Sequence, residues 1–234
     1  MTLPCEDRCI LGIFAKQPIA GQAKTRLAQA TSSEWATQVA AAFLADTLGR
    51  MGAIQCARMI VYAPGHSTAF FTSEAAGRFE LLPQAEGDLG QRLRSFFTHA
   101  QQLGFTRCIA IGTDSPTLPL EFVERGFRLL DNHDVVIGPA YDGGYYLVGT
   151  GGKEIDLFRD IAWSSAQVLA QTLRRVRGAS ARFALLPAWY DVDTLDDWAM
   201  LCRHVDAMRR AGIDPQVPRV EKLLDEPRPS GSVP

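Results

Sequence analysis

Apolar residues fall in six short, nearly continuous runs: Cys9–Phe14, Met59–Ala63, Phe79–Leu82, Cys108–Ile111, Val135–Gly138 and Tyr145–Val148. A strand with one wet face alternates apolar and polar residues. These runs do not, which predicts strands covered on both faces. Amphipathic stretches near 33–51, 89–103 and 120–131 separate them and predict helices. The β-α-β rhythm predicts a mostly parallel sheet with helices on both sides, right-handed crossovers, and ligands at the carboxyl ends of the strands. A last helix is marked by Thr194 as N-cap and by Asp196 and Asp197 in the first turn. Its core face is Leu195, Trp198, Leu201, Cys202, Val205 and Met208, and Gly212 is its stop. Residues 1–212 read as a single domain and 213–234 as a Pro-rich tail, with about the final ten residues mobile.

Composition removes several classes. With 234 residues, 47% hydrophobic and 21% charged, the chain is neither disordered, collagen-like nor coiled-coil. Lys and Arg total 24 against 26 Asp and Glu. A net charge of −2 gives no general attraction to nucleic acid or anionic membranes, so an anion site has to be local. No apolar run approaches the ~20 residues of a membrane span, and Cys9–Ala15 reads as a buried strand rather than a signal peptide. The five cysteines are scattered without C-x-x-C, and the Cys5/Cys9 pair has no second pair to complete a zinc site. A reducing cytoplasm is the expected compartment. His66, His99, His133 and His204 show no metal-ligand spacing.

Four loops carry candidate chemistry. After the first run, Lys16, Lys24 and Arg26 place three cations around Gly21, as a phosphate cradle requires; a solvated basic turn has the same composition. Neither the P-loop nor the G-x-G-x-x-G spacing is present. After the fourth run, Gly112-Thr113-Asp114-Ser115-Pro116 holds a carboxylate where α/β folds place catalytic groups, or where an Asx turn would lead into a helix. Asp142-Gly143-Gly144 lies between two strand runs, either as a plain hairpin turn or as a site flanked by Tyr141, Tyr145 and Tyr146, with Trp163 and Trp189 farther on. Asp191 and Asp193 share one face of an extended segment before the last helix, as ligands or as caps. Together these residues describe cations for a diphosphate and separated carboxylates for a hard divalent cation.

The order Lys16-x-Pro18-x-x-Gly21-x-x-Lys24-Thr25-Arg26-Leu27, Gly87-Asp88-Leu89-Gly90-Gln91-Arg92-Leu93, Gly112-x-Asp114-x-Pro116-x-Leu118, Gly138-Pro139-x-x-Asp142-Gly143-Gly144-Tyr145-Tyr146-Leu147 and Asp191-Val192-Asp193-Thr194 resembles the DUF2064 family. Members of that family are called glycosyltransferase-like or arsenosugar-biosynthesis glycosyltransferases, within the nucleotide-diphospho-sugar transferase superfamily. The resemblance covers about residues 9–200. It implies a GT-A fold, a three-layer α/β/α sandwich with a mostly parallel mixed sheet, and a nucleotide-binding domain over 1–212. It further implies that Lys16, Gly21, Lys24, Arg26, Asp88, Gln91 and Arg92 meet the nucleotide and its phosphates. Asp114 and Asp193 (or Asp191) would hold Mg²⁺ or Mn²⁺, Asp114 and Asp142 would be catalytic, and Gly143, Gly144 and Tyr145 would line the acceptor or sugar side.

The implied activity is metal-dependent transfer of a sugar from a nucleotide sugar to a small acceptor. Nucleotidyl transfer from an NTP with pyrophosphate release is the alternative, and a non-catalytic nucleotide-binding module a further one. Nucleotidyltransferase relatives open with a glycine-rich A-A-G-x-G-x-R loop where this chain has Gly21 alone. GT-A glycosyltransferases carry Asp-x-Asp where this chain has the single carboxylate of Asp114.

Overall fold

The computed structural model describes residues 8–225. Its strands are β1 (Cys9–Lys16), β2 (Ala57–Ala63), β3 (Glu80–Pro83), β4 (Arg107–Ile111), β5 (Val135–Pro139), β6 (Tyr145–Thr150) and β7 (Phe183–Leu185). Its helices are α1 (Thr25–Ala30), α2 (Ser33–Met51), α3 (Thr68–Ala75), α4 (Leu89–Gln102), α5 (Leu120–Leu129), α6 (Val168–Gly178), α7 (Leu195–Arg210) and α8 (Pro218–Asp225). All six apolar runs are strands, and the three amphipathic stretches are α2, α4 and α5.

The sheet order is β3-β2-β1-β4-β6-β5-β7. β6 runs antiparallel to both β4 and β5, and the other pairings are parallel. The expected mostly parallel mixed sheet is therefore present, with one reversed strand. Period-two geometry divides each strand between two cores. Leu11, Ile13, Ile60, Tyr62, Ile109 and Ile111 face α2, α3 and α5. Ile10, Met59, Val61, Cys108 and Ala110 face α4 and α6. This makes the three-layer α/β/α sandwich. A third apolar cluster joins Leu27 of α1, Trp35, Val39 and Phe43 of α2, Trp198, Leu201 and Val205 of α7, and Val220 of α8.

One reversed strand has a direct consequence for function. The carboxyl ends of β1, β3, β4, β5 and β7 and the amino end of β6 all meet one edge of the sheet. Every loop carrying candidate chemistry leaves from that edge.

Part of the segment read as a Pro-rich tail is structured. Pro218 opens α8 at the first helical position, where its missing N–H is no loss. Asp46 of α2, only 3% exposed, accepts from the backbone N–H groups of Arg219 (3.1 Å) and Val220 (2.8 Å), capping α8 from a neighbouring helix. Residues 226–234 and Cys5 lie outside the described residues. Thr194 caps α7 as expected, and Asp197 adds the return bond that makes a reciprocal box. Among the described residues, no helix is long and apolar enough to cross a membrane.

Candidate functional site

The β1 loop turns back on itself before α1. Gln22 and Ala23 both donate their backbone N–H to the Ile19 carbonyl, at 3.0 and 3.1 Å. Gly21 takes φ +77°, and Lys24, with φ 45°, is left-handed although it is not glycine. Such a conformation costs of order 1 kcal/mol and persists only when the surroundings hold it. Here the holders are at the far end of the side chain. The Lys24 Nζ donates to Asp114 Oδ1 at 2.5 Å, to the Val192 carbonyl at 2.6 Å and to Asp193 Oδ1 at 2.9 Å. It also sits 5.2 Å from the centre of the Phe43 ring. The lysine side chain is 6% exposed, whereas the two carboxylates are 54% and 39% exposed. Burial alone would lower the lysine pKa. The charges and hydrogen bonds of Asp114 and Asp193 outweigh burial and hold it above the ordinary value.

Two backbone segments bring these carboxylates together. Asp114 follows β4, and its carbonyl accepts from the Val192 N–H at 2.9 Å. Val192 is fully buried, so Asp191 and Asp193 on either side of it turn toward the edge. Arg50, at the end of α2, donates to the carbonyls of Pro116 (2.5 Å) and Leu118 (2.9 Å) and fixes the Asp114 loop from beneath. The Tyr190 hydroxyl bonds Thr117 Oγ1 at 2.8 Å and His204 Nδ1 at 2.7 Å, tying the same loop to α7. Sequence spacing pointed to neither Arg50 nor Tyr190, because both lie inside helix or core patterns and their partners, two carbonyls for Arg50 and the Thr117 hydroxyl and His204 ring for Tyr190, are distant in sequence.

Asp142 lies on the turn between β5 and β6, near enough to Asp191 to repel its charge. Its Oδ1 accepts from the Gly144 N–H at 2.8 Å, forming an Asx turn between β5 and β6. Gly143 has φ +89°, and a Cβ there would lie 2.3 Å from the Ala166 carbonyl oxygen, so glycine is required. Asp191 feels all three carboxylates. Partial burial, then repulsion from Asp142, Asp193 and Asp114, pushes its pKa up to about 6.

The remaining candidates are placed as follows. Lys16 ends β1 at this edge, and both it and Arg26 are exposed. Among the described residues neither forms an ion pair. Asp88 and Gln91 form a reciprocal capping box at α4. Arg92 donates to the carbonyl of Gly87 (3.0 Å) and to Gln84 Oε1 (3.2 Å). These three residues sit at the same edge but are engaged with their own helix and loop. The aromatic wall around Asp142 is mostly core. Tyr146 is buried and donates to the Pro187 carbonyl, and Trp189 stacks on Tyr190. The Tyr145 hydroxyl is buried, and burial raises its pKa. Tyr141, 74% exposed, presents its ring to solvent.

The architecture has counterparts in known proteins. A family profile described as "Uncharacterized protein conserved in bacteria (DUF2064)" matches residues 47–165. The chain belongs to the DUF2064 family. Among solved structures, it is similar to a candidate nucleotide-diphospho-sugar transferase from Desulfovibrio desulfuricans G20. That match has 30% identity and a TM-score of 0.84, and covers 93% of this chain and 96% of the other. More distant similarity extends to a cytidylyltransferase from Leptospira borgpetersenii, at 12% identity and TM-score 0.54, covering 93% and 94%. A nucleotidyl transferase from Methanothermobacter thermautotroptrophicus matches at 14% identity and TM-score 0.55, covering 87% and 99%. At those identities the likeness shows a shared fold. No curated protein matches the chain significantly. This DUF2064 member thus has the fold of nucleotide-diphospho-sugar transferases, with its converging carboxylates at the carboxyl edge of the sheet.

Proposed function

We propose that this DUF2064 protein is a metal-dependent glycosyltransferase that moves a sugar from a nucleotide-diphospho-sugar to a small acceptor. The observation that carries the reading is the convergence of Asp114 and Asp193, from two loops far apart in sequence, on one cation. The description of the Desulfovibrio relative agrees with it.

The donor set suits a hard divalent cation. Two half-exposed carboxylates offer oxygen ligands, and no group of three or more His, Cys, Asp or Glu side chains among the described residues forms a closed metal cage. Mg²⁺ typically takes one or two carboxylates and completes its shell with water and substrate phosphate. Asp114 and Asp193 would hold Mg²⁺ or Mn²⁺, and an ion there would neutralise charge on a departing diphosphate. Lys24, Lys16 and Arg26 would bind the diphosphate oxygens by charge-assisted hydrogen bonds. Asp142, exposed on its turn, would accept the proton of the acceptor hydroxyl as that oxygen bonds to the sugar's anomeric carbon. The bond from that carbon to the phosphate oxygen then breaks, and the electron pair leaves on the nucleoside diphosphate. Tyr141 would offer a flat amphipathic face to a sugar ring.

Sugar transfer is favoured over nucleotidyl transfer by the β1 loop. A triphosphate is usually wrapped by several backbone N–H groups. Here Gln22 and Ala23 already spend theirs on Ile19, and Gly21 is the loop's single glycine. Product analysis decides between the reactions. Nucleoside diphosphate released from a nucleotide sugar supports the proposal. Pyrophosphate released from an NTP, with no turnover of any nucleotide sugar, would replace it with nucleotidyl transfer.

A further inference from the structure

The Lys24 ammonium has three N–H donors, and in this structure all three are used, on Asp114, Asp193 and the Val192 carbonyl. No donor remains for a phosphate. The same nitrogen lies within 3 Å of one oxygen, Oδ1, of each carboxylate and fills the space between them, so an ion bridging the pair and the ammonium compete for one position. Lys24 cannot hold a phosphate while it holds the carboxylates, and the carboxylates cannot fully receive a metal while they hold Lys24.

From this mutual exclusion we infer that Lys24 is a guard cation. It blocks the Asp114–Asp193 pair against free divalent metal and yields the pair only when a phosphate ligand draws the ammonium away. The inference rests on the reading of Asp114 and Asp193 as the metal carboxylates. The guard position is strongly held. Three hydrogen bonds, two of them to carboxylates, and the Phe43 ring all retain the ammonium. It is also conditional. The left-handed backbone at Lys24 and the exposed residues 20–22 before it leave a loop that can re-seat once the side-chain bonds are exchanged. A diphosphate accompanied by a metal ion satisfies both parties at once, giving the lysine new anionic acceptors and the carboxylates a new cation. Free metal satisfies neither, because it must enter beside an ammonium that has nowhere to go. The guard thus makes the site selective for the metal–diphosphate complex over the bare ion.

Mn²⁺ binding to the full-length protein, read by water-proton relaxation, tests this without turnover. Wild type is compared with Lys24→Met and Lys24→Gln, each checked for native circular dichroism. The glutamine variant keeps hydrogen bonding if the methionine variant does not fold. With Mn²⁺ alone, both variants should bind the ion at least about tenfold more tightly than wild type, and adding Asp114→Asn should abolish that gain. Inorganic pyrophosphate should strongly enhance Mn²⁺ binding to wild type and enhance it little in the variants. Equal Mn²⁺ affinity in wild type and variants would overturn the guard and leave the metal pair standing. Mn²⁺ bound by none of the proteins, with or without pyrophosphate, would overturn the metal pair and the guard together.

Discussion

Two groups of polar and charged residues reach the same edge of the sheet and are satisfied in opposite ways. Asp88, Gln91 and Arg92 are satisfied locally, by a capping box and by carbonyl and amide oxygens of the residues just before the helix. Lys24 pairs with Asp114 and Asp193 across 90 and 169 positions of sequence, and its third donor goes to the distant Val192 carbonyl. A local cap stabilises its own helix wherever that helix is placed. A long-range triad exists only when β1, β4 and the segment before α7 are all in place, and its two carboxylates stay half exposed. The second arrangement keeps charge available to a ligand.

The comparison can be sharpened by removing what braces each group. Arg50→Ala leaves the Pro116 and Leu118 carbonyls without their donor under the Asp114 loop. The expected loss is about 2–3 kcal/mol in urea unfolding, whereas Arg92→Ala should cost under about 1 kcal/mol. A smaller loss is expected at the caps. Asp46→Ala should cost about 1–2 kcal/mol and speed hydrogen exchange in α8 alone, because Asp46 is the side chain that receives the α8 N–H groups. Asp88→Ala should cost no more than that, with faster exchange confined to the first turn of α4. Exchange spreading from either cap to the Asp114 loop would contradict the separation of local from long-range roles.

A further small effect depends on pH. Asp191 has its pKa raised to about 6, so the folded state binds its proton more readily than the unfolded state. Its contribution is best at low pH, falls as pH rises from about 4 to about 6, and is level above that. Asp191→Asn removes the fall. In metal-free buffer above pH 7 the variant should be more stable than wild type by about 1 kcal/mol, after allowance for screening at a partly exposed group. A wild-type profile without that inflection would show that the four carboxylates do not share one field.

Most of the frame was legible because both-face burial makes β1, β2, β4, β5 and β6 continuous apolar runs. The elements not read from the sequence are α1, α3, α6, α8 and β7, and three of them give little to read. α1 buries one residue, Leu27; β7 is three residues long; and α8 hides behind prolines that its cap turns to use. In the site, Asp114 and Asp142 could be found from their positions after strands, and Asp191 and Asp193 from their position before the last helix. Their partner could not, because Lys24 reads as a phosphate cation until the fold brings Asp114 and Asp193 to it. Arg50 was invisible for the converse reason. Its helix position looks ordinary, and its acceptors are backbone carbonyls with no side-chain signature. The aromatics around Asp142 were the opposite case, flat faces in sequence that core packing claims in space.

The central claim is that Asp114 and Asp193 form one cation position serving a diphosphate ligand. Thermal unfolding of wild type and Asp114→Asn against a panel of nucleotide sugars, with and without Mn²⁺, tests it most directly. A ligand present at 100 times its dissociation constant adds about 2.7 kcal/mol. At least one nucleotide sugar should stabilise wild type in a way that needs Mn²⁺ and is lost in Asp114→Asn. Stabilisation that is equal in both proteins, or indifferent to Mn²⁺, would contradict it.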